Sequence, residues 1–300
     1  MNMKRFTFIT IIIALAAATA YANDNPDKKD RQFTPETGDF GITISANPIT
    51  SFIGNLFNNS TSNSLTDLGG EPYNPGLTTL QPAVSFAGKY FLKDNLAVRV
   101  NFGWILHHDK NNVYAPDDAA LLEDPLSNAN VIDSRITNNS GGSFMAGIEY
   151  RVGKGRIQGV FGGGLLYAFS TYRVKYSYGN AITDINREPS TGLDNVTAPS
   201  APGFSYQRYL RQFTDAPTHY FGLVGFAGIE WFVAPKVSLG AEVNLVAAVN
   251  WTKGLYYTAE GYNALSEKVE EWTELQTPTS SGFDFGTENI GANLSVNFYF

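Results

Sequence analysis

Eight stretches of the chain alternate apolar and polar residues with a period of two, which is the mark of strands that keep one greasy face and one polar face. They cover residues 38–48, 82–92, 95–107, 143–152, 156–176, 219–233, 237–257 and 290–300. The last is the plainest. Leu294, Val296, Phe298 and Phe300 fall on one side, and Asn293, Ser295, Asn297 and Tyr299 on the other. The third repeats the pattern over a longer run, with Val98, Val100, Phe102, Trp104 and Leu106 on its apolar side. A strand tilted near 45° crosses a bilayer with about 9–11 residues, and each stretch is long enough.

The connections alternate as well. Residues 93–94, 153–155 and 234–236 are tight turns, whereas 49–81, 108–142, 179–218 and 258–282 are long. Alternating short and long connections suit an all-β, eight-stranded antiparallel up-and-down transmembrane β-barrel, with short periplasmic turns and long extracellular loops. Charge parity sets the faces. Lys89, Arg99, Glu149, Arg151, Glu230 and Glu242 all oppose the apolar sets. A charge facing lipid at the midplane costs about 2–4 kcal/mol, so these six are expected inside. All lie close to the short turns, so the expectation is an ion-pair network at one depth that plugs the periplasmic third of a narrow lumen. Asn101, Gln158, Ser170, Ser238, Asn244 and Asn250 extend the polar interior.

Aromatics on the apolar side gather at two levels. Tyr90, Tyr150, Trp231, Phe298 and Phe300 lie toward the turns; Trp104, Tyr167 and Trp251 lie toward the long connections. Two belts at the membrane–water boundaries follow. The glycines at 162–164, with Gly222, Gly225 and Gly228, open no helix, so they read as bends or close packing rather than a phosphate cradle.

The ends and the bulk composition narrow the setting. Lys4 and Arg5, an apolar run over 8–20 and Ala20-Tyr21-Ala22 have the form of a secretory signal peptide, so 1–22 is expected to be removed. Residues 23–36 are polar, with Pro26 and Pro35, and read as a disordered periplasmic leader; 37–300 is then the barrel. The chain has no cysteine, hence no disulfide or thiolate chemistry, and a formal charge of −7 speaks against nucleic acid as a partner.

Taken together, the signal peptide, eight alternating strands, alternating turn lengths and terminal Phe300 resemble the small outer-membrane barrels of the OmpA, OmpX and OmpW type. The resemblance spans nearly the whole mature chain but rests on architecture, so it implies a fold and a location in the bacterial outer membrane, not an activity. It also implies contact with outer-membrane lipid and lipopolysaccharide, and recognition of the closing strand by the barrel-assembly machinery. The peptidoglycan-binding domain that follows the barrel in OmpA-type proteins has no counterpart here, so tethering to the cell wall is not expected.

The long connections carry the remaining candidates. Phe52, Ile53, Leu56 and Phe57 have helical spacing before an Asn/Ser/Thr run. Leu265, Val269, Trp272 and Leu275, with Glu267, Glu270, Glu271 and Glu274 between them, predict a short acidic amphipathic helix that caps the mouth or docks a partner. Asp117, Asp118, Glu123, Asp124 and Asp133 are carboxylates without an EF-hand spacing, so a solvated acidic loop is preferred to a calcium site. Phe204, Tyr206, Tyr209 and Phe213, with Arg208 and Arg211, are placed to contact a ligand, a sugar or one another. His107, His108 and His219 lie near the outer rim, where some barrels modify lipids, but no serine is spaced to be activated by them. The reading is therefore a non-enzymatic outer-membrane barrel with no cofactor and a plugged lumen, acting structurally or through a ligand or protein partner at its loops. A narrow gated conduit for a small solute is the alternative, and a lipid-modifying enzyme at the rim a minor one.

Overall fold

The computed structural model describes residues 33–46, 84–153, 155–214, 217–285 and 291–300. The signal segment, most of the leader and the Phe52, Ile53, Leu56, Phe57 group lie outside the described residues. Among those described, one antiparallel sheet holds twelve strands. They are β1 (Phe40–Ala46), β2 (Val84–Lys93), β3 (Leu96–Pro116), β4 (Asn130–Val152), β5 (Ile157–Ser177), β6 (Phe204–Thr214), β7 (Thr218–Ala234), β8 (Val237–Thr252), β9 (Leu255–Asn263), β10 (Lys268–Thr277), β11 (Ser280–Phe285) and β12 (Gly291–Tyr299). One short helix, α1 (Asp118–Glu123), sits at the tip of the β3–β4 hairpin.

The count expected from the sequence differs because the long connections are themselves largely β-ladder. Following the pairings from β1 leads through β2, β3, β4, β5, β7, β8 and β12 and back to β1. The circuit closes where Ile42 faces Phe298 and Ile44 faces Val296. Four strands lie off this circuit. β11 continues along β8 beyond β12, while β6, β9 and β10 extend the sheet from the outer end of β5.

Three expectations about the long connections are corrected by this sheet. Residues 108–142, read as a loop, are mostly the outer halves of β3 and β4, in unbroken register from Leu96↔Tyr150 to Pro116↔Asn130. The polar residues there alternate without hydrophobic contrast, so the strand period leaves no trace in the sequence. The acidic helix over Leu265, Val269, Trp272 and Leu275 is instead the turn into β10 and β10 itself. Trp272 faces Ala259 across the ladder and Leu275 faces Tyr256, and pairing with β9 satisfies the backbone that a lone helical turn would leave open. Phe204, Tyr206, Arg208, Tyr209, Arg211 and Phe213 lie on β6.

Burial runs opposite to that of a soluble protein. On the circuit the apolar parity is exposed: Trp104 is 64 % accessible, Leu223 61 % and Ile148 56 %. The other parity fills the interior. Phe91, Ala97, Phe232 and Tyr299 pack together at the turn end. Met145, Val160 and Phe226 form a second cluster, and Ala168, Tyr220, Val246 and Ala248 a third. Packing around Gly162 is tight enough to require a hydrogen for a side chain, since a Cβ there would fall 2.6 Å from the Phe226 ring and 2.0 Å from the Ile148 carbonyl oxygen. Phe33, placed in the leader by its sequence, packs onto the turn-end cluster, and its carbonyl accepts from the Lys236 N–H at 3.1 Å.

Candidate functional site

The turns β2–β3, β4–β5 and β7–β8 bring the six expected charged residues to one level of the interior. Lys89 sits on β2 opposite Arg99 on β3. Glu149 and Arg151 come from β4, Glu230 from β7 and Glu242 from β8. Lys89 Nζ lies 2.9 Å from both Glu149 Oε2 and Glu230 Oε1. Arg151 Nη2 bridges the same two carboxylates at 3.0 Å each. Arg99 grips Glu242 with both terminal nitrogens, the longer contact being 3.2 Å, and also reaches Glu149 Oε2 at 3.5 Å. Three cations thus meet three carboxylates within one connected set. All are nearly sealed from solvent except Glu242, whose side chain is 15 % exposed.

Neutral groups complete the set. The Tyr299 hydroxyl donates to Glu230 at 2.8 Å and accepts from Arg151, and Ser238 Oγ donates to Glu230 at 3.1 Å. Arg151 also donates to Gln158 at 3.3 Å, and Arg99 to Asn101 at 2.7 Å. Asn297 links Ser238 to Thr43, with bonds of 3.0 and 2.7 Å. Aromatic faces cover the cations: Arg151 lies 4.9 Å from the Phe91 ring and 5.0 Å from Tyr299, and Arg99 4.6 Å from Phe226. Glu149 Oε2 has cations close by without an aligned hydrogen bond. A cavity of about 20 Å³ touches Lys89, Arg99, Glu230, Glu242 and Asn297, and since a water needs about 10–15 Å³, it holds little more than one.

All six charges have the parity opposite to the apolar sets, and the sequence reading passed over Phe91 and Phe232. They share the parity of the charges, and that was the available signal. Being apolar, they look like strand-end core rather than the lid beneath an ionic cluster.

Aromatics at both levels face outward. Tyr90, Tyr150, Trp231 and Phe300 are exposed near the turns, with Phe298 at the edge of exposure; Trp104, Tyr167 and Trp251 are exposed at the other level. Among the described residues the histidines join no serine. His219 stands in the outer aromatic level, stacked on Trp251 and bonded through Nδ1 to the Tyr167 hydroxyl at 2.9 Å. His108 Nδ1 meets Asn138 Oδ1 at 2.6 Å, and His107 is exposed.

Beyond this level the sheet extension and the 178–203 segment build a folded cap. Val174, Tyr176, Leu193 and Val196 form its core. Of the acidic residues expected to be solvated, Glu123 and Asp124 are exposed, whereas Asp117, Asp118 and Asp133 hold this cap together. Asp117 caps α1 by accepting from Ala119 and Ala120. Asp133, fully buried, accepts from Gly179 N, Thr191 Oγ1 and Gly192 N. Burial pushes the Asp118 carboxyl up, but hydrogen bonds from Asn186 and Ser190 outweigh it and hold the group below its usual range. Arg208 donates to Glu260 at 2.8 Å and lies 3.9 Å over the Tyr178 ring.

No family model matches the chain, and no curated protein does. Among solved structures, the outer membrane protein OprG from Pseudomonas aeruginosa is similar at 11 % identity and a TM-score of 0.35, covering 89 % of this chain and 98 % of that one. A major outer membrane protein from Thermus thermophilus is similar at 10 % identity and a TM-score of 0.32, covering 88 % and 100 %. Likeness this distant carries no argument, so the functional reading rests on the geometry of this chain.

Proposed function

We propose that this chain is a non-enzymatic bacterial outer-membrane protein. In this reading, eight strands form a transmembrane barrel whose lumen is plugged by the ion-paired cluster, and the folded cap stands on the cell surface, where it serves a structural or surface-interaction role. The observation that carries the reading is the inverted burial: six charged groups are shut inside a closed circuit of strands whose outside is apolar. On β5 the exposed set runs from Ile157 to Phe169. Twelve steps of about 3.4 Å, tilted near 40°, give a band of roughly 30 Å, close to that of known barrels.

A plugged lumen is supported by the balance of the cluster. Each carboxylate is held by cations of the same chain, so none is free for a passing solute, and the adjoining cavity is water-sized. Planar bilayers test this. The full chain is expected to give no sustained current, and long-lived channels of large conductance would sink the plug. A narrow gated conduit draws support from one detail only, the partial exposure of Glu242 beside that cavity. On this second reading, Glu242→Gln opens a current absent from the parent.

A further inference from the structure

We infer that residues 33–39 are a latch, which docks on the turn end once the circuit of strands has closed and then locks the seam between β1 and β12. The inference rests on the closed circuit and not on the surface role proposed above. The segment touches all three short turns. In the β2–β3 turn, Asp94 Oδ1 accepts from the Thr37 N–H at 2.9 Å and from its hydroxyl at 2.7 Å. Beside the β4–β5 turn, the Arg156 guanidinium lies 3.8 Å over the Phe33 ring. In the β7–β8 turn, Lys236 donates its N–H to the Phe33 carbonyl at 3.1 Å and its ammonium to Asp39. Pro35 is buried within the segment, and Gly38 N donates to the Phe91 carbonyl at 2.8 Å.

The order of events follows from where these contacts lie in the chain. Residues 94, 156 and 236 become neighbours when β2 through β8 have assembled, so the latch has no site before that, and its docking must follow the larger loop closures. Its floor needs the last strand too. Phe33 packs on the cluster of Phe91, Ala97, Phe232 and Tyr299, and Tyr299 belongs to β12. Lys236 joins the two. Its φ is +59°, a backbone region that favours glycine, yet a glycine would lack the ammonium that reaches Asp39. The Lys236 carbonyl accepts from the Tyr299 N–H at 2.8 Å, so this residue grips the latch on one side and the closing strand on the other. The seam is the place where a lock matters. Its described ladder runs from Gly41↔Tyr299 to Ala46↔Leu294, whereas β3 and β4 pair all the way from Leu96↔Tyr150 to Pro116↔Asn130. Beside the latch, Phe40 and Phe300 exchange backbone bonds of 3.0 and 2.8 Å. Phe40 follows Asp39 directly, so fixing 33–39 on the turns also fixes the first residue of β1 against the end of the chain.

The experiment measures amide hydrogen exchange by mass spectrometry on the full chain folded in detergent micelles, with heat-modifiable gel migration to confirm folding. Local opening of the seam sets the exchange rate of residues 41–46 and 294–299. Thr37→Val removes one hydrogen bond and is expected to speed that exchange about fivefold. Phe33→Ala removes the buried ring and its contact with Arg156, and speeds it roughly tenfold. The double variant reaches about fiftyfold if the two losses add. Phe33→Tyr keeps the ring under Arg156 and stays within about twofold of the parent. Exchange within 103–116, high on the β3–β4 ladder, keeps the parent rate in every variant. An unchanged seam in the double variant overturns the inference, since the segment would then merely rest on the turns. Equal acceleration at the seam and within 103–116 also overturns it, because residues 33–39 would then support the whole fold and lock no particular seam. If the double variant does not fold, Thr37→Val decides alone by the same two comparisons.

Discussion

Replacing Glu149 by Gln tests the interior most directly. The carboxylate is fully buried and lies 2.9 Å from Lys89, 3.0 Å from Arg151 and 3.5 Å from Arg99. The amide keeps the volume and removes the charge, so three buried cations face two carboxylates. Breaking a buried pair from one side costs about 3–5 kcal/mol, because the partner is left uncompensated. With a urea slope near 2 kcal/mol/M, the midpoint falls by about 2 M in vesicles, followed by tryptophan fluorescence and gel migration. Lys89→Met carries the second half of the argument. Removing it together with Glu149 leaves Arg99 and Arg151 with Glu230 and Glu242, a balanced set. The double variant is therefore expected to be more stable than the sum of the single losses allows, by at least about 1.5 kcal/mol. Additivity within about 0.5 kcal/mol, or a Glu149→Gln cost no larger than that of the exposed Glu271→Gln, would refute a coupled buried network.

Other perturbations probe separate parts. Tyr299→Phe removes the hydroxyl shared by Glu230 and Arg151 and is expected to cost about 1–3 kcal/mol in the same unfolding assay; no loss would mean that water replaces it freely. Leu223→Arg puts a charge on the outward face midway along β7 and should cost about 2–4 kcal/mol in lipid, whereas a neutral result would disprove a lipid-facing site. The Asp118 carboxyl has a folded pKa below its unfolded value near 3.9, so its stabilisation is full above about pH 4 and is lost as pH falls through the folded value. Protease cleavage within 178–203 should rise below pH 4 in the parent, and the rise should be weaker in Asp118→Asn, which cannot titrate.

Alternation made the circuit legible wherever one face was greasy. Leu294 to Phe300 or Val98 to Leu106 admit only one way of facing, and a charge such as Arg99 then has its side fixed by parity alone. What parity lacked was depth across strands. Lys89 and Glu230 are 141 positions apart, and only the tight turns at similar distances hinted that they meet. The cap was illegible for a different reason. Lys110, Asn112 and Asn138 alternate polar with polar, so the ladder there leaves no period to detect. In β10 the spacing of Leu265, Val269, Trp272 and Leu275 mimicked a helix although two of those residues face opposite ways on a ribbon.

β4 runs unbroken for 23 residues, about twice what a bilayer crossing needs. At about 3.4 Å per residue and a tilt near 40°, it is roughly 60 Å tall, so on the proposed membrane reading some 30 Å would rise clear of the hydrocarbon. Such a mast has no hinge at its base. On that reading, a lean of about 10° in the membrane would sweep its head sideways by around 5 Å per 30 Å of height, so local bilayer thickness and curvature would steer where the tip is held.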